Sequence, residues 1–187
     1  MELVTTDSSQ NTVLTNRAQE ISFPLNEKTK QFIAEFTDFF ANLKSPFGKP
    51  AGLAAPQVGV PLRIAIIQIP PEAKMVRKDV YDEVPPTLLI NPSYTPIFDE
   101  GQKKDWEGCF SVTGKMGEVY RHIAIQYETY TMDGSKIKNI ARGFLARLLQ
   151  HEIGHLNGEL YVDILRNDCR YGSFDEMMPI RKKELEK

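Results

Sequence analysis

The chain has 187 residues, 41% hydrophobic and 26% charged, which is enough apolar material for one domain whose core needs no disulfide framework. Lysine and arginine total 23 against 25 acidic residues, and this net charge of −2 excludes the basic footprint of a nucleic-acid binder. No apolar run approaches the roughly 20 residues of a membrane helix, and the two cysteines, Cys109 and Cys169, point to a reducing compartment.

Residues 1–20 are polar and lack both the apolar core of a secretory signal and the arginine-rich character of a transit peptide. They read as a flexible N-terminal arm. Residues 26–44 read as an amphipathic helix. Phe32, Ile33, Phe36, Phe39, Phe40 and Leu43 share one face, Asn26 is a candidate cap, and Ser45-Pro46 is the stop. Gly48 to Gly59 is rich in small residues and breakers and reads as a loop with at most one helical turn. Leu62 to Ile69 is nearly continuous in apolar residues and reads as a buried strand. The segment 70–86, with four prolines, is a surface excursion. Thr87 to Ile97 reads as a strand interrupted by Pro92, and Ile123 to Tyr130 as another. Asp133-Gly134 turns that strand into Lys136–Ile140. Gly143 to Leu156 has helical spacing and ends at Asn157-Gly158, where glycine takes a left-handed cap at little steric cost. Strands followed by a helix make the fold α+β. Residues 21–170 form the single domain, and 171–187 a short charged C-terminal tail.

The sharpest signal is His151-Glu152-Ile153-Gly154-His155. In a helix, positions i and i+4 lie on one face about 6 Å apart, so two imidazoles converge on one cation. Glu152 is offset from that axis yet within reach of a water beside it, the place of a general base in metal-assisted hydrolysis. A catalytic site of this kind takes three protein ligands. Cys109, in Trp106-Glu107-Gly108-Cys109-Phe110-Ser111, is the candidate third. If the chain were a zinc peptidase, the third ligand would lie downstream, where Glu159 and Asp163 are available and histidine is not. Glu107 is a candidate to orient a bound imidazole, and Arg121 to pair with a buried acid. His122 reads as strand packing, Trp106 as a wall residue and Cys169 as a residue without a role.

Three segments in order resemble those of the peptide deformylases: Gly52-Leu53-Ala54-Ala55-Pro56-Gln57, Glu107-Gly108-Cys109-Phe110-Ser111 and Gln150-His151-Glu152-Ile153-Gly154-His155. The likeness runs over about residues 25–167. It implies antiparallel sheets packed around a central helix that carries the histidine motif. It implies that Cys109, His151 and His155 hold one divalent cation, Fe(II) or Zn, with Ni or Co able to substitute. Glu152 is then the proton shuttle, and Gln57 and the backbone N–H of Phe110 face the developing oxyanion. Gly52, Ala51, Phe144 and Leu148 are expected on the substrate side. The substrate so implied is the N-formyl-methionine end of a nascent polypeptide at the ribosome exit, processed by a cytoplasmic, bacterial-type monomer that releases formate.

Three departures accompany the resemblance. Pro50-Ala51-Gly52 stands where the family has Gly-x-Gly, and proline lacks an N–H. Phe110 stands where leucine is usual. Gly154 stands where the family has aspartate. An interior helical glycine costs about 1 kcal/mol relative to alanine, so an aspartate restored there is expected to be neutral or modestly stabilising, unless the neighbours have adapted to the missing side chain and leave a buried carboxylate without a partner. These changes leave room for a second reading, a catalytically impaired deformylase-like protein that binds peptide or metal.

Overall fold

The computed structural model describes residues 1–45 and 48–185; Pro46, expected to stop the first long helix, lies outside them. The chain starts with a short helix α1 (Thr12–Thr15), followed by α2 (Glu27–Asn42). Asn26 caps α2 as its position suggested, with Oδ1 accepting the Thr29 N–H at 2.8 Å. Ile33, Phe36 and Phe40 are the buried face of α2, while Phe32, Phe39 and Leu43 are partly covered. Each fully buried phenylalanine there contributes about 1.5–3 kcal/mol.

Next come β1 (Gly52–Ala54) and β2 (Ile64–Ile69), then a short helix α3 (Ala73–Val76) and β3 (Val84–Pro96). The long hairpin of β4 (Gln102–Cys109) and β5 (Val112–His122) follows, and then β6 (Ala124–Tyr130) and β7 (Lys136–Arg142). Helix α4 (Gly143–Asn157), strand β8 (Tyr171–Ser173) and helix α5 (Phe174–Leu185) complete the chain. Five strands form one sheet in the order β1-β2-β3-β6-β7, and three form another in the order β4-β5-β8; every pairing is antiparallel.

All six residues of β2 are buried, which is why Ile-Ala-Ile-Ile-Gln-Ile shows no alternation. In β3 the pairing with β6 slips between Ile90 and Ser93, at Pro92. Asn91 takes a positive φ of 47° there, and its amide holds both the N–H and the C=O of Ile21 at 2.8 Å. The β6–β7 register turns at Gly134, φ +85°, as Asp133-Gly134 indicated.

Four expectations need correction. Residues 1–20 are not a loose arm: Val4, Leu14 and Ala18 are buried. Backbone bonds tie Val4 N–H to Gln57 O and Thr6 N–H to Ser111 O at 2.8 Å, and Ala18 N–H to Leu156 O at 2.9 Å. Polar composition hid this, because the few apolar residues that are buried are scattered through a polar stretch, and only Ala18 of the three joins the cluster under α4. The stretch 48–59 contains an edge strand, β1, besides a 3₁₀ turn at Ala55–Val58. The segment after residue 170 is a strand and a helix packed on the β4–β5 hairpin. Finally, β4 and β5 were not foreseen at all, since their inward positions include Glu107, Glu118 and Arg121 instead of an apolar alternation.

Helix α4 touches strands of both sheets, and ten of its fifteen residues are buried. Its start is fixed by Gly143, φ +58°, where a Cβ would come within 2.3 Å of Asp79 O, and by the Phe144 N–H bond to that same oxygen at 2.9 Å. Among the described residues no helix is long and apolar enough to cross a membrane.

Candidate metal centre and catalytic site

Two elements bring the chemistry together. Helix α4 presents His151, Glu152 and His155, and the β4–β5 hairpin presents Cys109 at its tip, where the register shifts between Gly108 and Cys109. Cys109 Sγ lies 3.3 Å from His155 Nε2, which in turn lies 3.2 Å from His151 Nε2. The three atoms all fall within 4.8 Å of one another. A tetrahedral cation with bonds of about 2.3 Å to sulfur and 2.0–2.1 Å to nitrogen would space these ligands about 3.3–3.6 Å apart. The two distances to His155 fit such a cation, and the Cys/His/His chemistry of the set suits a divalent one.

The electrostatics fit it as well. Burial works against a charge on His151, yet contacts with Cys109 and Glu107 raise its pKa to about 10. The anionic neighbours of His151 thus favour positive charge at this point. Burial, with His151 beside it, holds His155 well below the usual imidazole range, in the neutral form a ligand requires. Glu107 is buried and its Oε2 accepts from His151 Nδ1 at 2.8 Å, which leaves Nε2 for a cation. Burial alone would lift the Glu107 carboxyl, but Arg121 and His151 hold it far below the usual carboxylate range. Arg121 donates Nε and Nη2 to its two oxygens at 3.1 and 3.0 Å, and Arg147 donates Nη1 at 2.7 Å.

Glu152 is 3% exposed, and its Oε2 has no hydrogen-bond partner among the described residues. Burial raises its pKa to about 7. The other face of this carboxylate rests on Gly52 of β1: a Cβ at 52 would lie 2.2 Å from Glu152 Oε1. A side chain at 52 would force the Glu152 carboxylate to move, and the reason is space, not a special backbone conformation. Gln57 accepts the Ala54 N–H on Oε1 at 2.9 Å, which turns Nε2 toward Cys109 Sγ and Ser111 Oγ, each at 3.3 Å. Its amide is thereby aimed at the donor group.

Of the other sequence candidates, Phe110 lies between β4 and β5, immediately after Cys109, with its side chain partly buried. Ala51 is half-buried and accepts the Gln68 N–H at 2.7 Å. Phe144 and Leu148 share the helical stripe of His151 and His155. Phe144 packs under the Arg77 guanidinium at 4.3 Å, and Leu148 is 5% exposed in the core. His122 lies outside the donor group, edge-on to Phe98. Trp106 donates its indole N–H to Glu184 at 2.8 Å.

Sequence reading gave no role of their own to Arg147, Ser111, Gln150 and Arg63. Gln150 clamps the backbone N–H and C=O of His122 at 2.9 Å each, and Arg63 caps α4 through Leu156 O at 2.9 Å. Arg147 had a signal: it interrupts the apolar positions Phe144, Leu145, Leu148 and Leu149, and a guanidinium set among them must find a buried partner.

Comparison with known proteins agrees with this chemistry. The family model described as polypeptide deformylase matches residues 2–171. Peptide deformylase 2 of Rickettsia conorii is 35% identical over 188 residues, covering 100% of this chain and 90% of that protein. Among solved structures, the peptide deformylase of Ehrlichia chaffeensis superposes with a TM-score of 0.72 at 26% identity, covering 100% of this chain and 94% of the other. The class I type b peptide deformylase of Acinetobacter baumannii, crystallised with Met-Ala-Ser bound, superposes with a TM-score of 0.71 at 26% identity, over 88% and 98% of the two chains.

Proposed function

From the premise that the chain belongs to the polypeptide deformylase family, we propose which of its residues carry out the hydrolysis of N-formyl-methionyl peptide ends. The convergence of Cys109, His151 and His155 beside the buried Glu152 carries this reading. Those three residues hold the cation, Fe(II) or Zn, with Ni or Co as substitutes. When bound, the cation supplies Lewis acidity, polarising the formyl carbonyl and making water a better nucleophile.

Glu152 takes a proton from the attacking water as oxygen bonds to the formyl carbon. The carbonyl oxygen becomes negative, and Gln57 Nε2 and the Phe110 N–H donate to it. As the C–N bond breaks, Glu152 returns the proton to the leaving amine, and formate and a free N-terminus result. The substrate backbone runs beside Gly52 and Ala51 on the free edge of β1, and its methionine side chain lies toward Phe144 and Leu148. The bound Met-Ala-Ser of the Acinetobacter relative supports a peptide ligand of this size. Helix α4 then serves as the central element, exposing its ligand stripe to substrate while both sheets cover the rest. The protein acts as a cytoplasmic monomer on chains leaving the ribosome.

The test is formate release from formyl-Met-Ala-Ser by anaerobically prepared protein, with metal analysis of the same sample. Stoichiometric formate with about one metal per chain is expected, and Cys109→Ala should lose most of that metal. Full metal content in Cys109→Ala, or cleavage of unformylated peptide instead, would overturn the assignment.

A further inference from the structure

Helix α4 does not simply stop. Gly158 adopts φ +80°, its N–H bonds to His155 O at 3.2 Å, and the Glu159 N–H bonds to Gly154 O at 2.9 Å. This pair of bonds is a Schellman cap, which reverses the chain and returns the residue after the glycine onto the last helical turn. Here that residue is Glu159, and the surface it meets is Gly154. A Cβ at 154 would lie 3.4 Å from Glu159 Oε1 and 3.5 Å from Glu159 O. The Glu159 carboxylate thus lies at ordinary contact distance from the bare side of the helix.

That carboxylate faces Arg121. Its Oε1 lies 3.6 Å from Arg121 Nη1, the one terminal nitrogen that Glu107 does not engage. Arg121 and Arg147 both press on Glu107, so one buried carboxylate is shared between two guanidiniums and the His151 imidazole. Without a further anion the two arginines leave an excess of positive charge next to a centre built for a cation. Arg121 also competes with His151 for Glu107 Oε2, which its Nη2 engages at 3.0 Å.

We propose that Glu159 is a positioning residue of the metal centre, holding the outer nitrogen of Arg121 so that Glu107 remains available to His151, and that its carboxylate lies against Gly154, where a second carboxylate would meet it. The inference rests on the reading that Cys109, His151 and His155 hold the cation. Both physical effects of removing Glu159 act in one direction. The local potential becomes more positive, and the grip of Glu107 on His151 weakens, so cation affinity falls. Groups directly hydrogen-bonded to metal ligands typically affect affinity by about 10–100-fold; one step further out and half-exposed, Glu159 should give about 3–10-fold.

The experiment measures Zn²⁺ affinity by competition with a chromophoric chelator, and metal-free stability by urea melts, in the full-length protein and in Glu159→Gln, Glu159→Asp, Gly154→Asp and the double variant Gly154→Asp/Glu159→Gln. Glu159→Gln should weaken zinc binding by about 3–10-fold with its metal-free melt unchanged, and Glu159→Asp should recover part of the loss. Gly154→Asp should lower the urea midpoint in the native background, where it meets Glu159, and much less in the Glu159→Gln background. The double variant should regain affinity, because one carboxylate again faces Arg121. Native affinity in Glu159→Gln, or an equal cost of Gly154→Asp in both backgrounds, overturns the proposal. Failure of the native protein itself to bind zinc would instead overturn the ligand assignment.

Discussion

Strand β2 of the five-stranded sheet buries Ile64, Ala65, Ile66, Ile67 and Ile69, and its neighbours add Leu89, Ile90 and Ile125. Strands β4 and β5 of the three-stranded sheet bury Trp106, Met116 and Val119, but also Glu107, Glu118 and Arg121. The first sheet is held by the removal of apolar surface from water, which is non-directional and tolerant of small shifts. The second is held by paired charges, each of which fixes an angle as well as a distance. The second sheet supplies Cys109 and the Glu107 that orients His151, while the imidazoles themselves ride on α4 and β1 of the first sheet abuts Glu152. Directional contacts do what packing alone cannot.

The comparison separates chemistry from stability most sharply at Glu152. Glu152→Gln keeps the size of a buried side chain and should keep fold and bound metal. It should lower kcat for formate release by about 10²–10⁴, the usual contribution of a general acid–base group. Turnover near the native value would remove Glu152 from the mechanism.

Within the charged sheet, Glu107→Gln removes the partner of two buried guanidiniums and of His151. Breaking such a network should lower stability by about 3–5 kcal/mol and weaken metal binding by about 10–100-fold. Urea melts with and without added zinc measure both, and the loss should be larger in the presence of metal.

Leu89→Ala is the matched change in the apolar sheet. Leu89 is 1% exposed, so a loss of about 2–5 kcal/mol is expected. Here the loss should be the same with and without zinc. A zinc-dependent cost would mean that the two sheets are not energetically separate.

The smallest effect distinguishes the sheets by pH. Arg170 holds the Glu118 carboxyl below its usual 4.5, through bonds of 2.6 and 2.9 Å. Because the folded-state pKa is the lower one, the stability from this pair is complete above pH about 4.5 and is lost as pH falls through the depressed value. Glu118→Gln should therefore flatten the acid limb of the stability curve, read from urea midpoints at falling pH. Leu89→Ala should lower that curve without changing its shape.

The apolar sheet was largely legible in the sequence: β2, β3 and the β6–β7 hairpin fall near where hydrophobic runs and Asp133-Gly134 place them. The charged sheet was not, since Gln102–Cys109 reads as a polar stretch until its partners are known. Gly154 shows the same limit. Taken as a helical glycine, it suggested that aspartate would be neutral or mildly helpful unless its neighbours had adapted; that Glu159 lies 3.4 Å from where its Cβ would stand is visible only in the fold.

What the sequence determined by itself is local. Helical periodicity puts His151 and His155 on one face with Glu152 beside them, and Asn157-Gly158 ends the helix, because an α-helix relates residues three and four apart whatever surrounds it. Tertiary structure alone decided what those side chains meet. The contacts of Glu107 with Arg121, Arg147 and His151 span 14, 40 and 44 residues. No pattern of neighbouring residues encodes such distances. They exist only once both sheets have closed on α4, where a buried charge without a partner costs more than the fold can bear.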